Sequence, residues 1–182
     1  PWSGIDPIMA TAELIEALNT IVSRRINIIN NPAVISVGLV KAGTRNNIIP
    51  EDAEIMGTIR TFDPLLRTEI YEEIEQIARG VSVGTGTDIS VEFDVGGFYP
   101  VTFNAPKLVN AMKESLMKAS PGRFYESNTP VTGAEDFSYF SQEIPGMYFW
   151  LGINKPGVGL ESANFGERTD VAGNHSPYFY VD

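Results

Sequence analysis

The chain has 182 residues, 43% of them hydrophobic, with a formal net charge of −10, enough apolar material for one sizeable core or two small ones. Its longest basic cluster is Arg24-Arg25, and a phosphate-backbone partner needs a basic face, so nucleic acid and anionic membrane surfaces are disfavoured as partners. No cysteine is present, which excludes a disulfide framework and a thiol nucleophile and is compatible with a cytoplasmic protein.

The first helix is announced by Asp6-Pro7, a capping carboxylate followed by a residue preorganised for the first helical position. Ile8, Ala12, Ile15, Leu18 and Val22 follow as an apolar stripe, which should stop near Asn27 to Asn31. Ala33 to Val40 is β-branched and apolar, and Ala42-Gly43 breaks it. Asn46 to Pro50 reads as a loop. Ala53 to Phe62 then alternates, with Ile55, Gly57 and Ile59 on one face and Met56, Thr58 and Arg60 on the other.

Asp63-Pro64 repeats the cap signal and opens a second helix with the stripe Leu66, Ile70, Ile74 and Ile77, ended by Gly80 to Gly86. Ile89, Val91 and Phe93 alternate as a third strand. The order α-β-β-α-β needs one strand before Pro1 to become the ferredoxin-like split unit, and the chain opens at Pro1-Trp2 without an initiator Met. Residues 1–99 are therefore read as that module lacking its first strand.

Beyond Tyr99-Pro100 the character changes. Asn104-Ala105-Pro106 opens a helix with Leu108, Met112 and Leu116 on one face, broken by Pro121-Gly122. Glu135 to Phe140 predicts a short helix entered from Gly133. Met147 to Ile153 reads as a buried central strand, and Lys155 to Gly173 as a long Gly- and Asn-rich loop. The longest apolar run, Met147 to Leu151, is far short of the roughly 20 residues that cross a bilayer.

Three features carry chemistry. His175, the only histidine, lies in Asn174-His175-Ser176-Pro177; it is either a polar surface residue or a metal ligand, and a catalytic zinc needs about three protein ligands. Gly133-Ala134-Glu135-Asp136-Phe137 places two acids either in a helix first turn, where the macrodipole favours them, or at a helix N-terminus whose free N–H groups meet a substrate carboxylate. Arg60 is either an exposed edge charge or a planar fork for a carboxylate; Asn47 is a turn residue or its companion.

The string Pro1 to Ile8, then Gly43-Thr44 with Asn47-Ile48-Ile49-Pro50, then Gly57-Thr58-Ile59-Arg60, resembles the lid or dimerisation domain of the amidohydrolase branch of the carboxypeptidase/aminoacylase metallopeptidases. That branch includes hippurate hydrolases, N-acetyl-diaminopimelate deacetylases and indoleacetyl-amino-acid hydrolases. The Gly133 motif, Pro145-Gly146 and Asn174 to Pro177 resemble the C-terminal part of their catalytic domain. The motifs run in order across essentially the whole chain.

This resemblance implies an α+β chain: a ferredoxin-like lid over 1–99 and the C-terminal segment of an α/β catalytic domain over 100–182. It implies a metal-dependent amidohydrolase cleaving N-acyl-amino acids or short peptides, with two divalent ions, zinc or manganese, in the intact enzyme. His175 matches the last metal ligand; Asn47, Arg60 and Gly133 match substrate-binding positions; Glu135 and Asp136 would orient other groups. The remaining ligands and the general-base Glu are expected upstream of Pro1, so this chain alone should be inactive and hold no metal tightly. A homodimer through the lid is expected, built on Ala33 to Val40 and the helix from Asp6. The rival reading is a non-enzymatic ferredoxin-like dimerisation or ligand-binding module, which leaves the acidic motif and His175 idle.

Overall fold

The computed structural model describes residues 2–127, 129–152 and 176–179. The chain divides into two compact units, Pro1–Val101 and Thr102–Asp182. Together the described residues give an α+β architecture of four α-helices and one two-stranded sheet.

In the first unit, α1 spans Pro7–Thr20 and runs into a single π-helical turn, Ile21–Arg25. Asp6 caps it, its Oδ1 accepting the Ile8 N–H at 2.9 Å. The buried row is Ala10, Leu14, Leu18 and Ile21, rotated from the expected stripe of which only Leu18 is fully buried. Ala10, Leu14 and Leu18 lie four residues apart, one ridge of the helix, and α1 packs on α2. Ile8 stays exposed.

Strands β1, Ala33–Ala42, and β2, Ala53–Thr61, pair antiparallel, with Ala33 opposite Thr61, Val34 opposite Arg60 and Ser36 opposite Thr58. The register slips by one between Val37 and Leu39, leaving Gly38 as the extra residue of a bulge. Ile35, Val37, Ile55 and Ile59 face the core, so the alternation expected for β2 is correct.

Helix α2, Pro64–Thr85, is capped by Asp63, whose Oδ1 accepts from Leu65 N–H at 2.8 Å and Leu66 N–H at 3.5 Å. It ends at the far limit of the Gly80 to Gly86 stretch expected from the sequence. Two interior glycines cost about 1 kcal/mol each relative to alanine, but Ile77, Ala78 and Val81 bury against the core across them, and that burial carries the helix to Gly86. There φ is +74°, and the Gly86 N–H bonds the Ser82 carbonyl at 2.9 Å.

The third strand expected at Ile89, Val91 and Phe93 is not one among the described residues. Ile89 and Val91 pack on the core, yet among the described residues the sheet holds β1 and β2 only. Alternation brings a segment to a core; a strand also needs a hydrogen-bonded neighbour, and this segment has none among the described residues. At its end Tyr71 stacks on Phe93 with ring centroids 4.0 Å apart and donates its hydroxyl to Asp94 at 2.6 Å. The Arg67 guanidinium lies 3.9 Å from the centroid of the Phe98 ring.

In the second unit, α3 spans Pro106–Ala119 and α4 spans Phe137–Glu143. The stripe Leu108, Met112 and Leu116 is at most half-buried, and every buried hydrophobic side chain among the described residues belongs to the first unit. Residues 147–152 are not the expected buried strand: Phe149, Trp150 and Leu151 are exposed, for want of a partner strand among the described residues. Ile153 and the loop expected at 155–173 lie outside those residues.

Candidate functional site

The β1–β2 hairpin carries the first two site residues. Asn47 sits exposed in the connecting turn, and Arg60 projects from the exposed face of β2 near its far end. At roughly 3.3 Å per residue, Arg60 lies on the order of 23 Å along the strand from Ala53, where the loop ends. The structure therefore places them at opposite ends of one hairpin and does not bring them together. Around Arg60 the exposed face carries Val34, Ser36 and Thr58. The Lys41–Glu54 ion pair, 3.0 Å, closes the loop end.

Gly133, Glu135 and Asp136 belong to the turn that enters α4. A Cβ built on Gly133 would meet nothing within 4 Å, and its φ is not in the left-handed region. Neither crowding nor backbone within this unit requires glycine there. The free N–H groups expected at this helix start are partly used: Ser138 N–H bonds the Glu135 carbonyl at 3.2 Å and Tyr139 N–H bonds that of Asp136 at 3.1 Å. Asp136 is exposed at the N-cap position, and its side chain makes no capping bond.

Glu135 is the anchored acid. Tyr148 donates its hydroxyl to Glu135 Oε1 at 2.7 Å. That hydrogen bond first, then burial and the charges of Glu135 and Asp136, push the Tyr148 phenol above its ordinary value. Tyr148 is fixed on three sides. Phe137 lies 5.7 Å away, Trp150 meets it edge-on at 5.5 Å, and Asn104 bonds both of its backbone groups, donating to the carbonyl at 2.9 Å and accepting from the N–H at 2.6 Å. Ser138, fully buried, donates to the Glu135 carbonyl at 2.6 Å, and Ser141 donates to the Ser138 carbonyl at 2.9 Å. Sequence reasoning missed Tyr148, Asn104 and Ser138. The one available signal was Asn104, a residue able to serve a donor and an acceptor at once, immediately ahead of a helix start.

His175 lies outside the described residues. Among those residues no group of three or more His, Cys, Asp or Glu could hold a metal ion, and Glu135 is bonded to Tyr148. The described donor set does not by itself fit a metal centre. No helix among these residues is long and apolar enough to cross a membrane.

Comparison with known proteins places this arrangement. Residues 6–172 match the family described as peptidase family M20/M25/M40, and the chain belongs to that family. It is 35% identical over all 182 residues to thermostable carboxypeptidase 2 of Saccharolobus solfataricus, covering 42% of that protein. It is also 35% identical to the N-acetylcysteine deacetylase of Bacillus subtilis, over 85% of this chain and 39% of that protein. A dinuclear metal-binding peptidase of the M20 family from Bacillus subtilis superposes with a TM-score of 0.59 at 31% identity, over 78% of this chain and 35% of that one. The fold is also that of a proposed aminohydrolase from methicillin-resistant Staphylococcus aureus, TM-score 0.75 at 24% identity, covering all of this chain and 43% of that one. The chain thus spans about two fifths of the length of these relatives.

Proposed function

We propose that this chain is part of a metal-dependent hydrolase that cleaves the amide bond of N-acyl-amino acids or short peptides. The observation that carries this reading is the family match over residues 6–172, with relatives named as a carboxypeptidase and as deacetylases of N-acetylated amino acids. Both activities cut an amide beside an amino acid that bears a carboxylate.

In this reading residues 1–99 form a ferredoxin-like lid lacking its first strand, and 100–182 form the C-terminal segment of the catalytic domain. Arg60, exposed on β2, grips the substrate carboxylate with its planar fork. Asn47 makes a separate contact at the loop end. Gly133, with open space where a side chain would stand, lets the substrate approach the backbone. Glu135 and Asp136 orient neighbouring groups, and His175 is one ligand of a two-metal centre, zinc or manganese, whose other ligands and general base lie in sequence outside this chain. The two-metal reading is supported by the solved peptidase of the same family. The protein acts in the cytoplasm as a homodimer through the lid.

The test uses the full-length protein. It should hydrolyse N-acetyl-amino acids or dipeptides and lose that activity to a chelator. Arg60→Ala should lower kcat/KM by about 10- to 100-fold, as loss of a charge-assisted hydrogen bond implies, and His175→Ala should lose bound metal with most of the turnover. Full activity in the presence of chelator, or a His175→Ala enzyme with full metal content, refutes the assignment.

A further inference from the structure

Strand β1 changes face part-way along. Ala33, Ile35 and Val37 belong to the core side, and unbroken alternation would send Leu39 after them. The bulge at Gly38 prevents this. Beyond it Leu39 stands opposite Met56, and paired residues share a face. Leu39 therefore turns outward, 36% exposed, beside Met56 at 47%. Bulges are over-represented next to active sites, where they re-aim a side chain. Here an interrupted ladder moves a leucine away from the core direction and builds a two-residue apolar step on an exposed face.

That face is the one that carries Arg60. Between the cation and the step lies a single hydroxyl row, Ser36 opposite Thr58. From Arg60 to Met56 is four residues of one strand, about 13 Å at roughly 3.3 Å each. The ladder thus presents a cation, a pair of hydroxyls and an apolar step in line.

We propose that Leu39 and Met56 form the seat for the acyl group of the substrate, and that the preferred acyl group is an aliphatic chain of about six to eight carbons. The assignment rests on the reading in which Arg60 holds the substrate carboxylate. With that end fixed, the acyl carbon of an N-acyl-amino acid lies one residue away, roughly 3.5 Å. An acetyl group ends one bond of about 1.5 Å further on and falls short of the step. The remaining distance is spanned by about six or seven more carbons, in a zigzag of roughly 1.5 Å bonds. A fully buried methylene is worth about fourfold in affinity. Six carbons half covered on an open face, at about twofold each, still multiply to more than tenfold.

The test is binding, so it stands apart from turnover. Two keto acids, 4-oxopentanoate and 4-oxoundecanoate, copy N-acetylglycine and N-octanoylglycine with a methylene in place of the amide N–H, and neither can be hydrolysed. In calorimetry with the full-length protein, 4-oxoundecanoate should bind at least about tenfold more tightly than 4-oxopentanoate. Replacing the exposed pair with polar side chains, Leu39→Asn together with Met56→Gln, should shrink that ratio to within about threefold of unity. Equal affinities in the parent, the result if protein rather than ligand covers the pair, overturn the proposal. A preference that the double variant retains overturns it too, since the chain then lies elsewhere. Binding of neither acid removes the role of Arg60 and the seat with it. A preference that the double variant loses, in a protein that hydrolyses no N-acyl-amino acid, keeps the seat and refutes the hydrolase; hydrolysis without a chain-length preference does the reverse.

Discussion

Tyr148 and Glu135 meet side chain to side chain, the phenol donating to Oε1 at 2.7 Å. The tyrosine that makes this bond is itself bound through its backbone by Asn104, so the position of an acid near the start of α4 depends on a residue ahead of α3. Tyr148→Phe keeps the ring contacts and removes the hydroxyl. It should cost about 1 kcal/mol, the usual worth of such a bond, read as a lower urea midpoint with an unchanged slope. Because the bond holds the phenol neutral and raises its pKa, its contribution is present below the unfolded value near 10 and lost at higher pH. Wild type and variant should converge in strong alkali; a gap that persists there contradicts this account.

Tyr71 should titrate late. Burial first, then the hydrogen bond to Asp94 and the charge of that carboxylate, push its phenol to about 12, against a smaller opposing pull from Arg67. A raised folded value means the stabilisation is complete below pH 10, the unfolded value, and disappears as pH climbs through about 12. Absorbance titration of the folded protein should show a late phenol that Tyr71→Phe deletes. A Tyr71→Phe trace that keeps this late step would assign it to another tyrosine.

Gly57 cannot accept a side chain. A Cβ there would stand 2.4 Å from the Ser36 carbonyl oxygen, a backbone atom of the paired strand. Gly57→Ala should therefore destabilise by about 1–3 kcal/mol, the range for overpacking, while Gly38→Ala, with nothing within 4 Å, should cost less. Denaturant midpoints for the two variants check the order.

The proposed homodimer would form through the outer edge of strand β1. Val37 packs on the core while Ser36 points to the exposed face opposite Thr58, so Val37→Lys would damage the fold and Ser36→Lys is the informative change. In a symmetric contact the new charge meets its own copy. Sedimentation should show a dimer for the parent and a folded monomer for Ser36→Lys. A parent that is monomeric at micromolar concentration contradicts the homodimer.

Local chemistry made much of the first unit readable in advance. Asp6-Pro7 and Asp63-Pro64 each specify a helix start within a few residues, and the structure shows both carboxylates making the capping bonds. The face of β2 was equally legible, since Ile55, Gly57 and Ile59 share a parity. What could not be read were features settled by distant partners. Where within Gly80 to Gly86 the second helix would end is one such feature, set by the burial around Ile77 and Ala78. Residues 89–93 and 147–152 have strand composition but pair with no strand among the described residues. The contact of Tyr148 with Glu135 joins two segments by side chains alone and leaves no periodicity to find. His175, the residue on which the metal reading turns, lies outside the described residues.

The clamp at Tyr148 has a consequence for how this chain avoids its own kind. By donating to the carbonyl and accepting from the N–H of one residue, the Asn104 side chain imitates the peptide group of an adjacent strand. Residues 147–151 are apolar and aromatic, and an exposed run of that kind invites edge-to-edge stacking. With an amide already seated there, a strand adding at the edge that carries the Tyr148 N–H and carbonyl must first evict Asn104, so the asparagine that braces the acid beyond it also obstructs strand addition on that side.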